Sequence, residues 1–212
     1  QRFSRITQIN KTNVETLEIA WQVQTGVQAT FQSTPIVHEG VMFVSLPFNN
    51  VLALDAKTGN EIWRYEHDLN PNWKLCCGPS NRGVALQGKQ LFFGTVDARL
   101  ISLNIKTGEK IWDINVVKNN VETESISDLD ESDANSDKQI SGGTGVGISM
   151  APVVYNGKVI IGITGVGYGL HVEEEGANTP LGAVVGVSGK YGRSGFLAAY
   201  DIHSGQQIWQ FD

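Results

Sequence analysis

The sequence has few charged residues, no cluster of positive charge and no long apolar run. Charged side chains make up 18% of its 212 residues, and the formal net charge is -6. Nucleic acids and anionic membranes are bound by clustered lysine and arginine, so neither is expected as a partner. No stretch of about 18 apolar residues is present, which predicts that no helix spans a membrane. Residues 1–5 do not lead into an apolar core, so we expect no export signal there.

Glycine, by contrast, is abundant. The chain has 24 glycines, and together with the low share of charged residues this is typical of many short strands joined by tight turns. The composition therefore favours an all-β fold. The length suits one large domain or two small ones and is sufficient to bury a substantial core.

Three segments of twelve residues share one pattern, which ends in tryptophan. Each has an apolar strand, a Thr-Gly or Ser-Gly turn and a short closing strand, and the segments are 52–63, 101–112 and 198–209. Alternating apolar residues, such as Leu52 and Leu54, predict strands with one buried face. The polar residue before each turn can cap it, and the glycine supplies a positive φ; these residues are Asp55, Asn104 and Asp201, with Gly59, Gly108 and Gly205. A tryptophan at the same place in every segment is expected to pack between neighbouring sheets.

A second hairpin precedes each segment and completes four strands. Its turns are Glu39-Gly40, Gln87-Gly88 and Asn156-Gly157, of which Asn-Gly is the strongest hairpin signal. Four strands in the 49 residues from Trp63 to Trp112 is the size of one propeller blade. The 97 residues from Trp112 to Trp209 correspond to one blade with a large insertion. We therefore predict about three blades of a β-propeller; the alternative is a β-sandwich that repeats a hairpin.

The segments outside this repeat are predicted to be an outer strand, two insertions and a glycine-rich stretch. Trp21 looks like part of the lone outer strand of a further blade, over residues 17–23. Two insertions are predicted at 116–140 and 165–194. In the first, the acidic residues favour a solvated loop over a calcium site, because they lack the Gly-centred spacing of a calcium loop. In the second, His171 and the three consecutive residues Glu173, Glu174 and Glu175 leave a metal site as the alternative, but such a run favours side chains that point to water. The glycine-rich residues 142–147 are interpreted as turns near the propeller axis rather than as a dinucleotide loop, since no helix follows them.

The only two cysteines are neighbours, Cys76 and Cys77. Spacing alone leaves open whether they are reduced, because a disulfide between adjacent residues distorts the peptide. Residues 73–85, which contain Cys-Cys-Gly-Pro-Ser-Asn-Arg-Gly, resemble a stretch of the quinoprotein alcohol dehydrogenases that use pyrroloquinoline quinone (PQQ). Residues 1–10 are similar to the mature N-terminal segment of that family, and the repeats are similar to its blade-docking motif. The resemblance implies that residues 1–212 form a partial, quinoprotein-type propeller of three to four blades out of eight.

The resemblance also implies a cofactor site. In the family a disulfide ring lies flat against the quinone, which Cys76 and Cys77 would form, and an arginine pairs with the polar edge of the quinone, as Arg82 would. Ser149 stands where a Thr or Ser usually contacts the cofactor, and Gln32 where a Glu is common. The implied cofactor-binding residues are Gln32, Cys76, Cys77, Arg82, Ser149, Ser188 and Gly189.

Metal binding is a point of departure from the family. Lys190 stands at the position of the metal-binding Glu, and a protonated amine cannot be an inner-sphere ligand. Residues 165–169 also fit the pattern of this stretch, but they offer no carboxylate before Glu173. PQQ is therefore the expected cofactor, whereas the sequence leaves binding of Ca²⁺ or another metal open.

The resemblance implies oxidation of an alcohol or a sugar-like hydroxyl, with a cytochrome as electron acceptor. A disulfide indicates an oxidising compartment, hence the periplasm. In the family the catalytic Asp lies beyond the position of Asp212, so we expect no catalytic residue in this chain and interpret it as the N-terminal part of an enzyme. The alternative is a degenerate or half propeller that acts as a binding or scaffold protein, or closes its ring as a homodimer through exposed edges.

Overall fold

The computed structural model describes residues 6–69, 78–117, 139–173 and 195–212, with no account of the side chains of 139–146 and 164–173. These residues form two short 3-10 helices, Val14–Thr16 and Pro47–Asn49, and otherwise strands. The first eight strands are β1 (Ile36–His38), β2 (Val41–Ser45), β3 (Val51–Asp55), β4 (Glu61–Tyr65), β5 (Ala85–Gln87), β6 (Gln90–Gly94), β7 (Arg99–Asn104) and β8 (Lys110–Asn115). The others are β9 (Gln139–Gly147), β10 (Val153–Tyr155), β11 (Lys158–Glu173), β12 (Phe196–Asp201) and β13 (Gln207–Phe211).

The strands form three antiparallel sheets in chain order. Blade 1 has the order β1-β2-β3-β4, blade 2 the order β5-β6-β7-β8 and blade 3 the order β10-β11-β12-β13. Each sheet therefore begins with the three-residue strand that follows a polar loop and ends with the strand that carries the repeated tryptophan. The predicted all-β fold with four-stranded propeller blades is confirmed.

The hairpin turns have the conformations that their residues favour. Glu39 and Gly40 have φ values of 49° and 79°, and Asn156 and Gly157 have values of 46° and 72°, as a two-residue turn with both residues left-handed requires. In the second hairpin of blade 1, Asp55 Oδ1 accepts the Thr58 hydroxyl at 2.9 Å and the Thr58 amide at 2.8 Å. These bonds hold the pKa of Asp55 below its ordinary value, so the carboxylate caps the turn in its charged form.

Both faces of the central strands are buried. On β3, Val51 and Ala53 face blade 2, whereas Leu52 and Leu54 pack against Trp21 and its neighbours. The prediction of strands with a single buried face is wrong for β3, because a sheet lies between two layers and both must be apolar. Blades 2 and 3 meet in a second core, where Phe92 and Leu100 pack against Ile161.

Tryptophan docking joins each layer to the next. Each indole Nε1 donates to a backbone carbonyl of the following blade: Trp21 to Ala56 at 3.2 Å, Trp63 to Ile105 at 3.1 Å and Trp112 to Ile202 at 2.9 Å. Each ring also lies on a turn glycine, where a Cβ would approach the indole to 2.6 Å at Gly59 and Gly108 and to 3.2 Å at Gly205. The glycines are therefore needed for docking as well as for the turn.

Trp21 makes the docking contact although residues 17–23 pair with no strand among the described residues. From Trp21 to Thr30 the side chains alternate between half-buried and exposed, as on an extended segment that lies along one face of a sheet. The segment covers blade 1 as an outer strand would, without being hydrogen-bonded as one.

A two-stranded ribbon extends from blade 3. β9 pairs with the second half of β11, from Thr164 opposite Gly147 to Glu173 opposite Gln139. Residues 142–147 are therefore strand, and the prediction of turns there is wrong. A Cβ on Gly147 would lie 2.6 Å from the Val96 carbonyl oxygen, so the glycine at this position permits close approach between two backbones. The ribbon takes in the first part of the predicted second insertion, and the remainder of that insertion lies outside the described residues.

Neither short helix has the length and hydropathy to cross a membrane, and the described part of the chain has no other helix.

Candidate functional site

Three loop segments converge where the first strands of the blades begin. The Thr34 amide donates to the Arg82 carbonyl at 3.3 Å, and the Arg82 amide donates to the Ser149 carbonyl at 3.1 Å. Thr34 precedes β1, Arg82 precedes β5 and Ser149 precedes β10, so the same point of three successive blades is linked through the backbone. The sequence-predicted residues Arg82 and Ser149 are thus directly linked, and Gln32 is two residues before Thr34 in the same set of loops.

Arg82 and Ser149 also interact through their side chains. Arg82 Nη1 donates to the Ser149 hydroxyl at 2.7 Å and to its carbonyl at 3.4 Å. Arg82 is exposed, and none of the ion pairs among the described residues involves it. Its guanidinium is therefore oriented by the serine while its charge is available to an anionic ligand.

Asn81 and Gly83 fix the backbone on either side of Arg82. Asn81 is buried, and its Nδ2 donates to the Gly94 carbonyl at 2.7 Å while its Oδ1 accepts the Gly83 amide at 2.9 Å. Gly83 has a φ of 140°, and a Cβ on it would lie 3.3 Å from the Ala151 Cβ. The asparagine and the glycine thus hold the loop that presents Arg82. Sequence reasoning treated them only as part of a motif.

The remaining predicted residues fall into two groups. Gln32 is exposed, beside Ser33, whose hydroxyl accepts that of the buried Ser45 at 3.0 Å. Cys76, Cys77, Ser188, Gly189 and Lys190 lie outside the described residues. The roles of all these residues in cofactor binding stay predictions.

A buried hydrogen-bonded pair that sequence reasoning missed, His67 and Asp97, lies beside these loops. His67 Nε2 is 3.0 Å from Asp97 Oδ1 and 2.9 Å from Oδ2. Burial by itself raises the pKa of Asp97, but the hydrogen bond and charge of His67, with a hydrogen bond from Thr95, outweigh burial and lower it. The two residues are 30 positions apart, so no local pattern could have paired them.

A strained loop lies next to this pair. Phe48 and Asn49, between β2 and β3, have φ values of 63° and 64°, a left-handed conformation that is costly for side chains larger than glycine. The loop is held from outside: the Phe48 amide donates to the Pro79 carbonyl at 2.9 Å, and the Val96 amide donates to Asn49 Oδ1 at 3.1 Å. Blade 1 therefore contacts the chain on the C-terminal side of the cysteines.

Among the described residues no group of three His, Cys, Asp or Glu side chains is arranged to hold a metal ion. The site that they do form is a basic one, made of an exposed guanidinium, a hydroxyl and backbone groups. Such donors suit a planar anion with carboxylate or carbonyl oxygens.

Comparison with known proteins gives a family match over the whole chain. The family model of the PQQ-linked glucose/ethanol/alcohol dehydrogenase β-propeller domain matches residues 1–212. The chain is 32% identical over 213 residues to quinohemoprotein alcohol dehydrogenase ADH IIB of Pseudomonas putida. This match covers 100% of this chain and 24% of that protein. It is 31% identical to quinoprotein alcohol dehydrogenase PedH of the same species, over 99% of this chain and 28% of that protein.

A solved structure extends the comparison to the fold. The quinohemoprotein alcohol dehydrogenase from Comamonas testosteroni matches with a TM-score of 0.72 and 30% identity, over 99% of this chain and 25% of that chain. The chain thus spans about a quarter of the length of the relatives that it matches.

Proposed function

The chain belongs to the family of PQQ-dependent alcohol dehydrogenases, and we propose that it forms the N-terminal part of a periplasmic enzyme that oxidises an alcohol or a sugar-like hydroxyl to a carbonyl. The observation that carries this proposal is the pairing of Arg82 with Ser149 at 2.7 Å, at the point where the first strands of three blades begin. The compartment is inferred from the adjacent cysteines, which would need an oxidising environment to form a disulfide.

The residues of the site fit PQQ, whose rim carries carboxylates and quinone oxygens. The exposed guanidinium of Arg82, which pairs with no carboxylate among the described residues, would bind this rim as a planar fork, and the Ser149 hydroxyl would keep the fork in place. Cys76 and Cys77, six and five residues before Arg82, would supply the flat support beneath the ring. When bound, PQQ supplies an electrophilic carbonyl that takes up a hydride from the alcohol carbon.

We assign no metal to these residues. Gln32 and Lys190 put an amide and an amine where the family has carboxylates, and an ammonium group repels a cation.

An uncovered apolar face on blade 3 supports the idea of further blades. Val153, Leu197 and Phe211 are 54%, 48% and 70% exposed, and Trp209 is 40% exposed. Register places Leu197 opposite Phe211 and Ala199 opposite Trp209, so these side chains share one face. Trp21, Trp63 and Trp112 each dock on a following sheet, and we propose that Trp209 does the same. A second copy of the chain could cover this face instead, which is the scaffold alternative.

The partners follow from the chemistry. Two electrons leave the alcohol in each turnover, so the enzyme needs an acceptor, which we propose is a cytochrome. Relatives named quinohemoproteins make a haem the natural choice.

Titration of the protein expressed from the complete gene with PQQ, followed by quenching of tryptophan fluorescence, tests the proposal. We expect saturable binding that Arg82→Ala weakens about 10- to 100-fold, since a hydrogen-bonded charge is worth about 1.5–3 kcal/mol. Arg64→Ala is the control, because Arg64 pairs with Glu61 on the outer strand of blade 1. Equal affinities for the wild type, Arg82→Ala and Arg64→Ala would contradict the assignment of the site, and no binding by any of them would favour the scaffold.

A further inference from the structure

One position in the strands contacts the site loops of two successive blades. Ser45 ends β2 and Gly94 ends β6, and each lies two residues after the partner of the first residue of its blade. The hydroxyl of the buried Ser45 lies 3.0 Å from the Ser33 hydroxyl, in the loop before β1, and 3.4 Å from the Asn81 carbonyl oxygen, in the loop before β5. The residue at this position thus joins the loop of its own blade to the loop of the next.

Gly94 makes the corresponding contacts between blades 2 and 3. Its carbonyl accepts Asn81 Nδ2 at 2.7 Å, and its Cα faces Ile148, in the loop between β9 and β10. Asn81 immediately precedes Arg82, and Ile148 immediately precedes Ser149. The two neighbours of Gly94 therefore lead directly into the two side chains that pair in the proposed cofactor site.

The structure leaves no room for a side chain at Gly94. A Cβ there would lie 2.5 Å from the Ile148 Cβ and closer still to its Cγ2. Ile148 is fully buried in the core between blades 2 and 3, so its side chain has no open space into which it could turn. Gly94 lies in a strand and outside the left-handed region, so its backbone conformation does not require glycine. The bare Cα is needed instead for Ile148 to approach, with its amide 2.8 Å from the Thr95 carbonyl oxygen.

From these contacts we infer that Gly94 is a positioning residue for the pair of Arg82 and Ser149. It fixes the loop of Arg82 through its carbonyl and the loop of Ser149 through its missing side chain. Arg82 Nη1 reaches the Ser149 hydroxyl at 2.7 Å only if both loops are in place. Gly94 is buried, so it acts through its neighbours. This inference rests on the proposed function, because it assigns the pair to the binding of PQQ.

Replacing Gly94 by alanine is expected to separate the pair. Carbon atoms in contact are about 3.5–4.0 Å apart, so the backbone of Ile148 must move by about 1 Å or more, and Ser149 moves with it. A displacement of this size is sufficient to break a side-chain hydrogen bond. Arg82 then loses the partner that orients it, and PQQ is bound less tightly.

The test uses the protein expressed from the complete gene and measures three properties of each variant. The dissociation constant for PQQ comes from quenching of tryptophan fluorescence. The distance from Arg82 Nη1 to the Ser149 hydroxyl comes from crystal structures without PQQ. Thermal unfolding gives the stability against which the other two properties are judged.

Two further variants separate positioning from stability. Gly88→Ala is the matched control in the same blade: Gly88 has a φ of 60°, and no atom lies within 4 Å of the position of a Cβ, so the change strains the backbone and moves no site loop. The double variant Gly94→Ala/Ile148→Gly removes every Ile148 atom that the new Cβ would meet. It loses the packing of Ile148 and therefore stability, but it makes room for the loop again.

We expect Gly94→Ala to lengthen the Arg82–Ser149 distance beyond about 3.5 Å and to raise the PQQ dissociation constant by about tenfold or more. Gly88→Ala should leave the distance unchanged and the dissociation constant within about twofold of that of the wild type. The double variant should recover the hydrogen bond and most of the affinity while its unfolding temperature stays low, which a merely structural role of Gly94 would not produce.

The outcomes separate this inference from the function on which it rests. If Gly94→Ala keeps the hydrogen bond, or binds PQQ as tightly as Gly88→Ala does, the positioning role is overturned. If Gly94→Ala does not fold, Asn81→Ala removes the other contact of Gly94, and wild-type affinity in that variant would overturn the role equally. If the wild type binds no PQQ but Gly94→Ala separates the pair and the double variant restores it, Gly94 positions the pair and the proposed cofactor fails.

Discussion

Replacing Gly108 by alanine tests the docking of tryptophans on the turns of the next blade. Gly108 has a φ of 73°, and a Cβ on it would lie 2.6 Å from Cε3 and 2.7 Å from Cδ2 of Trp63. Two costs are therefore expected: the left-handed backbone, which costs an alanine about 1–2 kcal/mol, and displacement of a packed indole, which costs about 1–3 kcal/mol as overpacking does.

Gly157 allows the two costs to be separated. Its φ is 72°, and no atom lies within 4 Å of the position that a Cβ would take. Gly157→Ala should therefore bear only the backbone cost, whereas Gly108→Ala should bear both, a difference of about 1–3 kcal/mol in the free energy of unfolding.

Urea unfolding of the complete protein, followed by far-UV circular dichroism, measures this difference. Tryptophan fluorescence provides a second signal, since Gly108→Ala should alter the environment of Trp63 in the folded protein and Gly157→Ala should not. Equal losses of stability in the two variants would refute the docking argument, because they would mean that contact with the indole contributes nothing.

Two further predictions concern carboxylates. Asp55→Ala should lower the urea midpoint by removing the acceptor of the Thr58 hydroxyl and amide, whereas Asp55→Asn should be nearly neutral, because Asn104 accepts the Lys106 amide at 2.9 Å in the equivalent turn of blade 2; equal losses would contradict a capping role. Because the pKa of Asp97 is lowered from 3.8, its ionised form contributes stability that is complete above about pH 4 and is lost as the pH falls through the lowered pKa. The free energy of unfolding of Asp97→Asn, measured against pH, should therefore fall less steeply below pH 4 than that of the wild type. Parallel curves for the two proteins would refute this.

Local signals account for much of the fold. Each blade is built from hairpins whose turns are set within two to four residues, as Asn156-Gly157 and the Asp55 turn illustrate. Such turns depend on φ preferences and short hydrogen bonds, which the order of residues specifies directly. The repeated tryptophan likewise predicts stacked sheets from the sequence alone.

The resemblance predicts residues of the candidate site but not the contacts that support them. Arg82 and Ser149 are predicted by resemblance to contact the cofactor, and Arg82 Nη1 lies 2.7 Å from the Ser149 hydroxyl. The pair His67–Asp97 is not predicted by the sequence, because it joins two blades through residues 30 positions apart that share no motif. The ribbon of β9 and β11 was missed because glycine-rich stretches have weak strand propensity, and pairing between the two strands outweighs it.

The amino-acid order by itself determined the strands of the blades, their hairpin turns and the four-stranded unit, because each depends on interactions between residues close together in the chain. Only the tertiary structure decided which faces are buried, which carbonyl each indole meets and which acid faces His67. These depend on how one blade is seated against the next, and contacts between residues distant in sequence, such as the 42 positions from Trp63 to Ile105, leave no periodic trace in the chain.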